Sequence, residues 1–243
     1  MKISIIGAGN VGSVLAEKLQ RAGHDVAIAN SRGPHSLKFV AEQTGATPLF
    51  AKDAVDRAEV IIISVPQIAV PQLSPLFSDV RDSAVIIDTC NYFPELRDGQ
   101  IRGIEDGMTD SEWVQETIGL PVVKAFNNIT SKSLRELGKP EGDEGRVALP
   151  VAGDVVAHKR MAMRLVNQLG FDAIDAGSTK DSWRQQPGTP AYIRDLKRAD
   201  LLLALAAADP DKIAEYRIVS DEVKERWAAY QREREARISK NEL

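Results

Sequence analysis

The chain has 243 residues, 43% of them hydrophobic, enough for one sizeable core with a small appendage. A net charge of −4 offers no basic field for nucleic acid or an anionic membrane, and the single cysteine, Cys90, excludes an internal disulfide. No apolar run approaches a membrane span and Met1 leads directly into a strand, so a soluble cytoplasmic protein is expected.

Lys2 to Ile6 is a short isoleucine-rich run, a buried strand. Gly7-Ala8-Gly9-Asn10-Val11-Gly12 follows without a gap. Val11, Val14, Leu15 and Leu19 then recur at helical spacing, Gly23 stops that helix, and Val26 to Ala29 reads as the next strand. Strand, glycine turn, helix and strand in this order are the context in which GxGxxG binds a dinucleotide. Gly7 allows the tight turn, Gly9 lets the backbone approach a pyrophosphate, and Gly12 lets the helix pack closely on the strand. The helix N-terminus offers N–H groups and a positive dipole to phosphates.

An NAD site normally carries an acid at the end of the second strand, where it accepts from the ribose hydroxyls and repels a 2′-phosphate. This sequence places Asn30, Ser31 and Arg32 there. Asn30 removes the repulsion, Ser31 can donate to a phosphate oxygen, and Arg32 supplies a charged planar fork. NADP is therefore the expected cofactor.

Further along, "SLKFVAEQTG" reads as a short helix ending at Gly45, and "DAVDRAEVIIISVP" as a helix followed by a strand from Val60 to Val65. "AVPQLSPLF" reads as a short helix, and Ala84 to Asp88 and Val122 to Phe126 as strands. "RVALPVAG" and "FDAIDAG" supply two more, separated by a helix from His158 to Leu169. Strands alternating with helices predict an α/β, Rossmann-like, doubly wound and mainly parallel sheet. Between them, residues 91 to 119 form a long polar excursion with a capped helix starting near Asp110.

The alternation breaks at "STKDSWRQQPGTP", which divides the chain into a 1–180 dinucleotide-binding domain and a 181–243 helical extension. "IRDLKRADLLLALAAAD" is a helix in which Leu201, Leu202, Leu203 and Leu205 occupy more than one face. At least one further helix follows Pro210, with Val223, Trp227, Tyr230 and Ile238 able to share a side.

Chemistry-bearing residues are few. His24, His35 and His158 are scattered, and with one cysteine they give no metal-ligand spacing. Cys90 follows a buried strand and reads first as a small packed hydrophobe. Asn127 and Asn128 follow another and would edge the ligand crevice of this sheet type, or close an Asx turn. Asp88 is expected to cap a turn or helix, and Trp183 with Arg184 to pack over an acceptor or a partner subunit.

Taken together in order, GAGNVG, "NSRG", "IISVP", "IDTCNYFP", "VKAFNN", "VAGD" and "DAGS…SWRQQPGTP" resemble the coenzyme F420-dependent NADP oxidoreductases. Their bacterial dinucleotide-binding relatives are closer still, and the NADPH-binding domain of the STEAP metalloreductases is a more distant likeness. The resemblance implies NADPH at the carboxyl ends of the strands and a planar acceptor, coenzyme F420 or a flavin, stacked on the nicotinamide. It places Ala8 to Val11 at the pyrophosphate, Ser31 and Arg32 at the 2′-phosphate, and Val65 and Pro66 along the adenosine and ribose. Thr89, Cys90 and Asn91 would lie below the nicotinamide, and Asn127 and Ile129 around it and the acceptor ring. It also implies a homodimer. The sequence departs from the deazaflavin enzymes at Asn127, where histidine is common, and in its longer C-terminal helical region.

The expectation is thus an NADPH-dependent oxidoreductase acting on a small-molecule ring acceptor. Hydride transfer between rings needs positioning more than acid or base, so no nucleophile or catalytic base is assigned. The alternatives are an imine or ketone reductase of the pyrroline-5-carboxylate reductase type and a non-catalytic NADPH sensor.

Overall fold

A computed structural model describes residues 1–81 and 83–239. Six strands form one parallel sheet: β1 (Lys2–Ile6), β2 (Asp25–Ala29), β3 (Thr47–Pro48), β4 (Val60–Ile63), β5 (Val85–Asp88) and β6 (Val122–Lys124). Their order is β3-β2-β1-β4-β5-β6. Crossovers run from β1 outward to β3 and then from β1's other edge to β6, so the winding reverses between β1 and β4. A doubly wound sheet opens its ligand crevice at that reversal, beyond the carboxyl ends of the strands.

Alternate residues of each strand enter opposite cores, as a period of two demands. Ile3, Ile5, Ile28, Val60, Ile62 and Ile87 face α1 (Asn10–Arg21), α6 (Ser131–Glu136) and α7 (Val156–Gln168). Ile6, Ala27, Ile61, Ile63 and Ile86 face α3 (Ala51–Arg57), the 67–77 segment and α5 (Asp110–Ile118). Both faces are covered, which is why these strands are continuous apolar runs. α2 (Lys38–Thr44) leads into β3, a two-residue edge strand too short to show in the sequence pattern. α4 (Arg102–Glu105) lies within the 91–119 excursion.

Three elements differ from expectation. Gln67–Phe77 is a 3₁₀ helix, because Pro71 and Pro75 each remove a backbone donor from an α turn. β7 (Ala148–Val151) and β8 (Asp172–Asp175) pair in parallel with each other as a separate two-stranded sheet. Lys124 joins the two sheets through an isolated antiparallel bridge to Ala152, its N–H donating at 2.8 Å and its carbonyl accepting at 3.0 Å.

Beyond β8 come α8 (Arg198–Ala206), α9 (Ile213–Tyr216) and α10 (Asp221–Ser239). Leu201 and Leu205 of α8 are buried against Ala148, Ile174 and Ala191, whereas Leu202 and Leu203 remain 48% and 69% exposed. The helices after α8 are tied to the 91–119 excursion: Lys224 pairs with Glu95 at 2.7 Å and Arg217 with Glu105 at 3.3 Å. Val223 is exposed and Trp227 half-buried, while the side chains of Tyr230 and Ile238 lie outside the described residues. Among the described residues, no helix is long and apolar enough to cross a membrane.

Candidate functional site

A cavity of about 920 Å³ opens at the carboxyl ends of β1, β2 and β4. Its walls include the first four residues of the glycine turn, Gly7 to Asn10, together with Asn30, Ser31, Arg32, Val65 and Pro66. These are nine of the residues singled out from the sequence, gathered from three loops. The volume is in the range of sites for drug-sized and cofactor ligands.

The three glycines of the turn have separate geometries. Gly7 has φ +117, and a Cβ there would meet the Ser64 carbonyl oxygen at 2.1 Å. A Cβ on Gly12 would lie 2.0 Å from the Gly7 carbonyl oxygen, so α1 can reach β1 only without it. Gly9 is different: its φ of −78 suits any residue, and its Cβ would meet nothing within 4 Å. The open space above Gly9 is the room a pyrophosphate needs. Gly9 is also the N-cap of α1, an end that carries no side-chain cap and no acid in its first turn. Such a terminus suits an anion, and a dinucleotide phosphate fits this cradle.

At the end of β2, the Asn30 amide donates to Ser36 Oγ at 2.9 Å, and its Oδ1 accepts from the Arg32 N–H at 3.0 Å. Asn30 is thus a scaffold for the 30–36 turn rather than a mere absence of charge. Ser31 and Arg32 project outward, exposed, and no carboxylate among the described residues pairs with Arg32. Phe50 and Ser36, which carried no sequence signal, complete this end of the cavity. Phe50 is 59% exposed, and its ring at the cavity edge is suited to covering a planar ligand.

The remaining sequence candidates divide. Val11 and Gly12 lie behind the cavity wall: Val11 packs against the core and Gly12 against Gly7. Thr89, Cys90 and Asn91 form the turn after β5, beside the cavity rather than in its lining. Thr89 Oγ1 donates to the Ile63 carbonyl at 3.0 Å, and Cys90 is buried beneath the same carbonyl. Burial, followed by the nearby Asp88 carboxylate, pushes the Cys90 thiol well above its ordinary pKa, so it stays protonated and unreactive. Ile129 is packed in the core with Leu134 and Phe126.

Asn127 sits at the centre of an amide network. Asn91 Nδ2 donates to the Asn127 carbonyl at 2.9 Å, and Asn127 Nδ2 returns a bond to Asn91 Oδ1 at 3.0 Å. Gln185 Nε2 donates to Asn127 Oδ1 at 2.9 Å, and Asn127 Nδ2 also reaches the Gln185 carbonyl at 2.8 Å. Phe126, at φ 60 and almost fully buried, turns the chain so that Asn127 leaves β6 toward this network. The 180–185 turn is thereby fastened to the ends of β5 and β6. Trp183 lies on that turn with the Arg184 guanidinium 5.1 Å from its ring centre.

Beneath the 89–91 turn, Asp88 and Lys124 form a wholly buried ion pair at 3.0 Å. Asp88 does cap the turn, accepting the Cys90 N–H at 2.8 Å. Burial alone would lower the Lys124 pKa, but the Asp88 and Asp110 carboxylates outweigh it and hold the ammonium above its ordinary value. Asp110, also buried, is pushed up by desolvation against the opposing pull of Lys124 and the Tyr92 N–H. Lys124, Asp110 and Gln185 were not singled out for this site: Lys124 is a lone charge in an apolar strand, Asp110 reads as a helix start, and Gln185 lies in a polar turn. Among the described residues no cluster of histidine, cysteine and carboxylates could hold a metal ion.

The glycine turn, the reversal in strand order and the cavity between them define a dinucleotide-binding protein of the Rossmann class. Residues 2–92 match the family described as NADP oxidoreductase, coenzyme F420-dependent. The chain belongs to that family. A stretch of 69 residues is 49% identical to the protein YjhV of Escherichia coli, covering 28% of this chain and half of that one. Among solved structures, a hypothetical protein of Sinorhizobium meliloti superposes with a TM-score of 0.63 at 32% identity, over 75% of this chain and 87% of that one. A candidate F420-dependent NADP reductase of Arthrobacter superposes with a TM-score of 0.57 at 22% identity, over 74% and 86% respectively, a likeness of fold.

Proposed function

We propose that the protein is a cytoplasmic NADPH-dependent oxidoreductase that passes a hydride between nicotinamide and a planar ring acceptor, a deazaflavin such as F420 or a flavin. The observation that carries the reading is the meeting, in one cavity, of the open Gly9 cradle with an acid-free β2 end bearing Ser31 and Arg32. On this reading the turn from Gly7 to Asn10 holds the pyrophosphate, and Arg32 and Ser31 hold the 2′-phosphate. Val65 and Pro66 flank the adenosine and ribose, and the 89–91 turn with Asn127 forms the floor of the nicotinamide half.

When bound, the nicotinamide would supply a hydride that an acceptor ring would take up with one proton, leaving NADP⁺. The chain's own work is to bind, orient and exclude water, which accounts for a site without an evident nucleophile or base. NADPH oxidation measured against F420, FMN, ferric chelate, quinones and cyclic imines tests the reading. Turnover of a deazaflavin or flavin supports it. Turnover of cyclic imines alone moves the protein to the imine reductases, and tight NADPH binding without any turnover makes it a sensor.

A further inference from the structure

The ion pair at the ends of β5 and β6 is spent on the backbone of a single residue. Asp88 Oδ1 accepts the Cys90 N–H at 2.8 Å, and Lys124 Nζ donates to the Cys90 carbonyl at 2.6 Å. Asp88 Oδ2 in turn accepts from Lys124 Nζ at 3.0 Å and from Ser111 Oγ at 2.6 Å. Both side chains are 0% exposed. Removing two charges from water is unfavourable, and an apolar pair of similar volume is commonly as stable. The rest of β5 and β6 is apolar: Val85, Ile86 and Ile87, Val122 and Val123. The charges stand only at the strand ends, the edge from which a sheet of this type meets its ligand.

We propose that Asp88 and Lys124 are positioning residues that hold the 89–91 turn as the floor of the nicotinamide half of the site, an inference that rests on the NADP reading above. With both its N–H and its carbonyl clamped, Cys90 cannot rotate its peptide planes. Asn91 therefore leaves the turn in one direction, toward Asn127 and Gln185. Lys124 also carries the bridge between the two sheets, so the clamp registers the turn against both. The adenosine half, built by Gly9, Ser31 and Arg32, has no part in this network.

That separation provides a test that needs no acceptor. The ligand 2′,5′-ADP carries the adenosine half alone, and NADPH carries both halves. In Lys124→Met the affinity for 2′,5′-ADP stays within about twofold, while NADPH weakens about tenfold or more, as ring-positioning contacts are lost. Unchanged affinity for both ligands, or an equal loss of both, overturns the proposal. If Lys124→Met leaves Asp88 unpaired and does not fold, Asp88→Asn with Lys124→Met removes both charges and takes its place in the same titrations. Failure of both variants to fold assigns the pair to folding and overturns the positioning role. Binding of neither ligand by the wild type instead removes the NADP reading itself.

Discussion

Arg32 and the three glycines are where single side chains decide the most. A well-made arginine–phosphate contact contributes about 1.5–3 kcal/mol. Arg32→Ala is therefore expected to weaken NADPH by about tenfold to a hundredfold and leave NADH nearly unchanged, as calorimetric titration would show. Equal losses for both cofactors would make Arg32 structural. The glycines separate in the opposite manner. Gly12→Ala drives a methyl against the Gly7 carbonyl oxygen, which lies 2.0 Å from the position of its Cβ, and destabilises the fold by about 1–3 kcal/mol. Gly9→Ala meets nothing in the protein, so its melting temperature stays close to the wild type while NADPH affinity falls. A Gly9→Ala variant that binds NADPH normally would deny the cradle its pyrophosphate. The tight turn at Gly7 and the close packing at Gly12 were legible in the sequence, because a glycine turn has one geometry between a strand and a helix. The scaffold role of Asn30 was not, since Ser36 reaches it only across a turn.

At the scale of elements, α8 and the 178–185 turn behave differently from their neighbours in sequence. Leu201 is 1% exposed and Leu203 69%, although both stand in one run of leucines. Leu201→Ala is expected to destabilise by about 2–4 kcal/mol, and Leu203→Ala by no more than about 0.5 kcal/mol, in denaturant unfolding. Comparable losses at both positions would show that the exposed flank is covered. The 178–185 turn is held by Asp181, whose pKa is lowered to about 2 by the Ser178 hydroxyl, the Ser178 N–H and Arg184. The ordinary value is 3.8, so the anchoring is complete above about pH 4 and is lost as pH falls through about 2. Protection of the Ser178 amide, measured against its intrinsic exchange rate, should therefore fall across that window in the wild type. In Asp181→Asn that protection should be reduced already at neutral pH; full protection there would place the anchor elsewhere.

For the whole molecule, the expected assembly is a homodimer. Leu202 and Leu203 of α8 are exposed side by side in the chain, an apolar flank that a second copy would cover. Leu203→Glu should then convert a dimer to a monomer in light scattering. A monodisperse wild-type monomer at micromolar concentration, with full NADPH affinity, removes the dimer. The 181–243 region is not independent of the remainder: Ala191, Leu201 and Leu205 share a core with Ala148 and Ile174, and Gln185 bonds Asn127. Truncation after Thr189 is accordingly expected to uncover β7 and β8 and to reduce solubility.

The order of apolar runs and the glycine spacing were enough to settle the α/β class, the parallel sheet and the place of the crevice. Each depends on contacts close in sequence or on a periodicity of two or 3.6 residues. The pairing of β7 with β8 in their own sheet, and the Lys124–Ala152 bridge that joins it to the main one, are contacts between distant residues that no local pattern encodes. The same holds for the polar network at the ends of β5 and β6. Asp88, Lys124, Asn91, Asn127 and Gln185 are scattered over nearly a hundred positions, and only the fold brings their charges and amides within hydrogen-bond reach. Burial then makes those bonds obligatory, because a polar group withdrawn from water must find its partner inside the protein.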